Sequence, residues 1–303
     1  MFNCFKKKKI INKQIIEDKI ENKEDKEDKQ EIIGEEITIG KEFLHGFRII
    51  HKLPCSNNKL VYIVQNQKKL EEKYVLKIKN ELTKYEAQVY SRLVNKTHPN
   101  VQHVIMFYKS QDKYCFIYEY IDGYDLYEYA DKIGGLLENE IKHIIREVSK
   151  GLQFLHDNNI IHLDIKEENI LYNPVTGNVK IIDFDLSLIF NDDTKKVIHT
   201  LAGTEHYVAP ESISHSIYSP KTDTWQLGVV LYILTVGVVP CTDVLKHKCS
   251  DNCIKRMFNN LENSIVNNKF NPSLYTLLCN MLNRSETERY NLNQILNSEW
   301  LNK

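Results

Sequence analysis

The chain has 303 residues, of which only 11 are Gly and 7 are Pro; average usage of ~7% and ~5% would give roughly 21 and 15. Collagen-like and Gly/Pro low-complexity architectures are thereby excluded, and any motif built on several glycines is expected to be eroded. With 40 Lys and Arg against 41 Asp and Glu, and a net charge of −1, the composition gives no global electrostatic case for nucleic acid.

In chain order, residues 1–42 stand apart. Glu17 to Glu31 is almost wholly Glu, Asp, Lys, Asn and Gln, too polar to offset the entropy of ordering, so a disordered or loosely helical charged tail is expected. Cys4 followed by Lys6 to Lys9 has the composition of an acylated, polybasic membrane contact; a solvated charged tail is the simpler reading. No apolar segment follows these lysines, so no signal peptide is expected.

From about residue 45 the texture changes. Phe47–Leu53, Leu60–Gln65, Tyr74–Lys79 and Tyr114–Ile121 are short runs rich in β-formers, split by polar turns, and predict an antiparallel sheet. Within this part, Asn80–Val94 has helical spacing through Leu82, Tyr85, Ala87, Val89, Tyr90 and Leu93. After Gly123 the pattern becomes helical, with Ile141, Ile144, Ile145, Val148, Leu152 and Leu155 marking one face of Ile141–His156. Leu227–Val239 is the longest apolar run; it is too short to span a bilayer and reads as a buried core helix. Ser273–Leu282 follows. The fold expected is α+β: a small β-rich lobe of about 47–121 and a larger helical lobe of about 122–302. The 7 cysteines form no paired zinc or redox pattern and read as reduced intracellular thiols. A soluble, cytoplasmic monomer is expected.

The residues that carry chemistry are concentrated in His162-Leu163-Asp164-Ile165-Lys166-Glu167-Glu168-Asn169 and in Val179-Lys180-Ile181-Ile182-Asp183-Phe184-Asp185. Two strand-like pieces, Ile170–Tyr172 and Val179–Ile182, flank an Asn-Pro-Val-Thr-Gly turn, so acid and amide side chains sit at the ends of a tight loop-and-hairpin unit. Phosphoryl transfer calls for such parts. One carboxylate receives the hydroxyl proton, a lysine steadies the phosphate, and an amide and a second carboxylate hold magnesium.

At this point the sequence resembles the eukaryotic-type protein kinase family, in its Ser/Thr branch. The family's catalytic loop reads H-R-D-L-K-P-E-N, and this chain has HLDIKEEN. The resemblance implies Asp164 as catalytic base, Lys166 as the phosphate-side lysine, Asn169 and Asp183 as magnesium ligands, and ATP as phosphoryl donor. Lysine two residues after the base is the Ser/Thr pattern. Tyr74-Val75-Leu76-Lys77 matches the strand whose lysine holds the α/β-phosphates, with Glu86 as its ion-pair partner and His98-Pro99-Asn100 after it. Leu53 and Val61 flank the nucleotide, and the backbone of Glu119 and Ile121 meets the adenine edge, with Tyr118 in the gatekeeper position. Gly203-Thr204-Glu205-His206-Tyr207-Val208-Ala209-Pro210-Glu211 matches G-T-x-x-Y-x-A-P-E and implies that Thr204 contributes to the substrate site. Asp223-Thr224-Trp225-Gln226-Leu227-Gly228 matches the opening of a buried helix. Arg289 matches the arginine that pairs with Glu211.

The departures are as informative. The glycine-rich loop should precede Val61, but Pro54-Cys55-Ser56-Asn57-Asn58-Lys59 holds none of its glycines, which let backbone approach phosphate closely. Asp185 replaces the glycine of D-F-G. Leu163 replaces the arginine that grips a phosphate on the activation segment, so Thr200, the candidate phosphosite, has lost its main reader. Asp125, Glu167 and Glu168 suggest selection of basic residues upstream of the phosphoacceptor, although Ile233 stands where strongly basophilic kinases carry a further acid. His199 and His206 read as loop histidines. The leading reading is an ATP- and Mg2+-dependent Ser/Thr kinase acting on proteins. The alternatives are a pseudokinase that binds nucleotide or protein without turnover, and a kinase-fold enzyme acting on a small molecule or lipid.

Overall fold

A computed structural model of the chain describes residues 42–43, 46–54, 60–110, 112–190, 196–197, 202–240, 251–268 and 270–303. The expectations for the N-terminal tail with Cys4 and Lys6–Lys9, for residues 55–59, and for His199 and Thr200 lie outside the described residues. The described residues gather into two compact units. One runs up to Thr97 and adds His103–Ile121; the other joins His98–Gln102 to Asp122–Lys303.

The first unit is a six-stranded antiparallel sheet of order β1-β2-β3-β4-β6-β5, built from Glu42–Phe43 (β1), Phe47–Leu53 (β2), Leu60–Asn66 (β3), Lys73–Lys79 (β4), Val104–Ser110 (β5) and Lys113–Glu119 (β6). Alternation of side chains across the pleat gives the sheet two faces. Ile49, Tyr62, Val64, Leu76, Ile78 and Ile117 form a buried cluster on one of them. The other carries the row Leu53, Val61, Lys77 and Phe116, which are successive register partners across β2, β3, β4 and β6. A helix, α1 (Lys84–Leu93), follows β4. Helical spacing predicts it from Asn80, but the Thr83 hydroxyl accepts from the Glu86 N–H and the Glu86 carboxylate accepts from the Thr83 N–H. This capping box closes the N-terminus at Thr83 and keeps Asn80–Leu82 out of the helix.

The second unit is mainly helical. Its principal helices are α2 (Leu126–Ile133), α3 (Glu138–Asp157), α4 (Pro210–His215), α5 (Pro220–Val236), α6 (Asp251–Asn268) and α7 (Ser273–Met281). The stripe read from Ile141 to Leu155 is buried. The helix expected over Leu227–Val239 instead starts at Pro220, after the Ser219 cap, and stops at Gly237, whose φ of 81° is left-handed. α5 is buried along nearly its whole length, and it approaches α7 closely at Gly228. A Cβ there would lie 2.9 Å from Leu282 Cδ2 and 3.1 Å from Met281 Cβ. Short strands complete the unit: Tyr124–Asp125 (β7), Ile160–Ile161 (β8), Ile170–Tyr172 (β9), Val179–Ile181 (β10) and Leu188–Ile189 (β11). β10, β9 and β7 form one antiparallel sheet, and β8 pairs with β11. Asn100 fastens the 98–102 segment to β10: its carbonyl accepts from the Ile181 N–H at 2.9 Å and its Nδ2 donates to the Val179 carbonyl at 3.1 Å. No helix among the described residues is long and apolar enough to cross a membrane.

Candidate active site

β8 delivers the chain into the loop that carries the chemistry, and α5 holds that loop. The fully buried Asp223 carboxylate accepts from the N–H groups of His162 (2.9 Å) and Leu163 (2.8 Å) and from His156 Nε2 (2.8 Å). One turn on, Gln226 donates to the Leu163 carbonyl at 2.8 Å and accepts from the Ile165 N–H at 3.0 Å. Leu163 has φ of 67°, a left-handed conformation unusual for a branched side chain; the clamps on both sides of it hold that strain. Its side chain is buried with Ile161, Leu188 and Tyr218. Burial pushes the His162 imidazole pKa down, against the opposing pull of Asp223 and Asp164. The ring is placed as a neutral tautomer, donating from Nε2 to the Ile182 carbonyl and accepting the Asp164 N–H at Nδ1.

Three donors converge on the Asp164 carboxylate. Thr204 Oγ1 donates to Oδ1 at 2.7 Å, while Lys166 Nζ and Asn169 Nδ2 donate to Oδ2 at 2.5 and 2.8 Å. Lys166 also donates to Thr204 Oγ1 at 2.8 Å. The structure therefore brings together Asp164, Lys166, Asn169 and Thr204, four side chains drawn from two segments of sequence. An oriented carboxylate beside an ammonium is an arrangement able to receive a proton from a hydroxyl while a neighbouring cation offsets charge on an anionic group.

The hairpin of β9 and β10 fixes the next residues. Asn169 closes a 3-10 turn (Glu167–Asn169), and its carbonyl accepts from the Ile182 N–H at 3.0 Å, immediately before Asp183. Asn169 Nδ2 also donates to the Asp164 carbonyl at 2.7 Å, so the amide nitrogen is committed to Asp164 and the amide oxygen is the ligand atom left to face a cation. The Asn169 amide oxygen and the half-buried Asp183 carboxylate are hard-oxygen donors of the kind that could hold Mg2+, which completes its shell with phosphate and water. Asp183 has φ of 63°. Asp185, at the position expected to be glycine, is not among the positive-φ residues, so its Cβ meets no backbone penalty there. Its side chain is buried, and its N–H donates weakly to Asp183 Oδ1 at 3.4 Å.

The segment after Gly203 is tied down at both ends. Gly203 has φ of 113°, and a Cβ there would lie 3.2 Å from the Leu163 carbonyl. Tyr207 donates to Glu167 Oε2 at 2.5 Å. Burial first, and then the Glu167 charge, hold the Tyr207 hydroxyl well above its ordinary pKa. Glu167, expected to face substrate, is only 2% exposed and turned into the protein. Glu211 meets Arg289 through two parallel bonds of 2.7 and 2.8 Å. The Arg289 guanidinium also donates to the carbonyls of Lys221 and Asn283 and lies 5.0 Å from the Trp225 ring centroid. A bidentate, charge-assisted pair of this kind is among the stronger polar contacts available to a fold.

In the first unit, Leu53, Val61 and Lys77 share one sheet face, as their cross-strand register requires. Lys77 is buried. Glu86 makes an ion pair with Lys79 at 2.6 Å; Lys77, the lysine that the resemblance pairs with Glu86, is two residues from Lys79 and so lies on the same face. Tyr118 is buried, and its hydroxyl donates to that of Tyr90 on α1 at 3.0 Å. The Glu119 N–H donates to the His103 carbonyl at 3.1 Å. Ile121 is half-buried just beyond β6.

Asp125 caps α2, accepting from the Glu128 N–H at 2.7 Å. Both Glu168 carboxylate oxygens are shielded from solvent. Sequence reasoning passed over Gln226, although a lone amide inside an apolar helix is a signal that something polar must meet it. It also passed over Lys79, and here the sequence offers nothing to separate two lysines of one face.

Residues 55–301 match the protein kinase domain family, and the chain belongs to that family. Among its relatives, a probable serine/threonine-protein kinase KIN1 homolog of Enterocytozoon bieneusi is 33% identical over 206 residues, covering 68% of this chain and 33% of the relative. NUAK family SNF1-like kinase 2 of Rattus norvegicus is 32% identical over 194 residues, covering 63% of this chain and 29% of the relative. The DNA damage response protein kinase DUN1 of Saccharomyces cerevisiae is 30% identical over 236 residues, covering 69% and 45%. The chain spans about a third of the length of the first of these relatives.

Proposed function

We propose that the chain is a Ser/Thr protein kinase that transfers the γ-phosphate of ATP to protein hydroxyls with magnesium. The observation that carries this is the convergence of Thr204, Lys166 and Asn169 on the Asp164 carboxylate. In this reading Asp164 orients the substrate hydroxyl and receives its proton, and Lys166 offsets charge on the transferred group. Thr204 fixes the rotamer of Asp164, while the Asn169 oxygen and Asp183 hold the cation. ATP supplies the phosphoryl group, and Mg2+ neutralises the charge of its phosphates. Lys77 takes the phosphates from its sheet face, Leu53 and Val61 cover the base, and the Glu119 carbonyl and Ile121 N–H read its edge. Most of the rate then comes from positioning and fixed charge. An upstream basic preference would rest on Asp125, because the carboxylates of Glu167 and Glu168 are turned away from solvent.

A second reading, a nucleotide- or protein-binding module, draws on the sequence from Pro54 to Lys59, which has none of the glycines of a phosphate-covering loop. Nucleotide binding and turnover separate the two. The kinase reading expects a Mg2+-dependent rise in Tm with ATP in both wild type and Asp164→Asn, but transfer to a basic protein in the wild type alone. A Tm shift with no transfer by either protein selects the binding module.

A further inference from the structure

Glu167 and Tyr207 lie 40 residues apart and belong to two facing 3-10 turns. Glu167 opens the turn that ends at Asn169. Tyr207 closes the turn Glu205–Tyr207, and its N–H donates to the Thr204 carbonyl at 2.9 Å. One turn therefore carries the candidate metal ligand Asn169, and the other is capped by Thr204, whose hydroxyl meets Asp164 and Lys166. The bond from the Tyr207 hydroxyl to Glu167 Oε2 joins these turns at a point where both side chains are buried, Tyr207 at 4% and Glu167 at 2% exposure. A hydrogen bond from a neutral donor to a buried carboxylate is stronger than a neutral pair and is costly to break one-sidedly. Loss of it frees the far end of the turn whose near end holds Thr204 against Asp164.

We propose that Glu167 is a positioning residue of the phosphotransfer site: it anchors Tyr207, and through the Thr204–Tyr207 turn it holds Thr204 in register with Asp164 and Lys166. The catalytic part of this inference rests on the kinase reading, while the anchoring itself does not. A corollary concerns specificity. A carboxylate buried against Tyr207 is not presented to a peptide, so Glu167 contributes nothing to selection of basic residues.

The test uses the full chain as wild type, Tyr207→Phe, Glu167→Ala, Glu167→Gln and the double variant Tyr207→Phe/Glu167→Ala. Two readouts are taken: amide hydrogen exchange over residues 203–209, and kcat with the KM for ATP and for peptides with and without upstream arginine. The anchor predicts that each of Tyr207→Phe and Glu167→Ala speeds exchange in this segment and lowers kcat by about tenfold, with the KM for ATP within about twofold. The double variant should be no worse than the poorer single, because both remove one bond. Glu167→Gln, whose amide oxygen still accepts, should recover most of the loss. Additive losses, or exchange unchanged by either single variant, overturn the proposal. So does a Glu167→Ala enzyme with normal kcat and a raised KM only for the arginine-containing peptide, which would make Glu167 a substrate contact. Absence of transfer by the wild type would sink the kinase reading alone, since exchange still decides whether the anchor exists.

Discussion

Replacing Asp223 by Ala tests how the catalytic loop is held. The carboxylate satisfies the amide N–H groups of His162 and Leu163 in a fully buried site and also meets His156. Truncation orphans two buried amides, at about 1–3 kcal/mol each, so a loss of about 2–6 kcal/mol is expected. Against a typical total of about 5–15 kcal/mol, this is a large share of the stability of the fold. Urea unfolding followed by tryptophan fluorescence reads it as a lower midpoint with an unchanged slope. Asp223→Asn keeps one acceptor oxygen and turns an NH2 toward a donor, so it should lose at least half as much. A loss below about 1 kcal/mol for Asp223→Ala would refute the reasoning, because it would mean that the two amides find other partners without cost.

Other expectations follow from the same geometry. Arg289→Met should cost about 3–5 kcal/mol by leaving the Glu211 carboxylate buried without its bidentate partner, and Arg289→Met/Glu211→Leu should recover part of it in urea melts. Tyr118→Phe removes the hydroxyl bond that ties β6 to α1 at Tyr90 and should lower stability by about 1 kcal/mol, again measured by urea unfolding. Thr200→Ala should leave kcat within about twofold of wild type, because no arginine stands at Leu163 to read a phosphate; loss of activity with the fold intact would contradict this. Burial lowers the folded-state pKa of His162 below its unfolded value. Its contribution to stability is therefore complete above the unfolded pKa of ~6.5 and is lost as the pH falls from there toward the depressed folded value. The urea midpoint should fall over that window, and the fall should be shallower in His162→Asn.

Much of the fold was legible because the strands of the first unit alternate and carry β-branched and aromatic residues, and because the stripe from Ile141 to Leu155 has one period. β5 went unnamed although Val104–Ser110 is apolar enough, since no tight turn residue isolates it from the segment before it. α2 and α6 also went unnamed: the first is eight residues long and the second carries many Asn, a weak helix former. The ends of α1 and α5 were set by local chemistry that periodicity does not register, a capping box at Thr83 and a left-handed Gly237. In the candidate site, Asp164, Lys166 and Asn169 could be read together because one short continuous loop carries them, while Asp183, beyond the β9–β10 hairpin, was reached through the resemblance alone. The direction of Glu167 could not, because it depends on a tyrosine 40 residues away; a surface acid and a buried anchor are spelled alike. The pairing of Glu86 with Lys79 was hidden for a related reason, since Lys77-Ile78-Lys79 places two identical groups on one face.

The central claim is that the carboxylate of Asp164 directs phosphoryl transfer to a protein hydroxyl. The most direct measurement is transfer of radiolabelled γ-phosphate from ATP with magnesium to a generic basic protein, comparing wild type with Asp164→Asn and identifying the labelled amino acids. The account predicts label on serine and threonine well above that given by Asp164→Asn. Label no greater than that of Asp164→Asn, from a wild-type chain that still shows a nucleotide-dependent Tm shift, would contradict it.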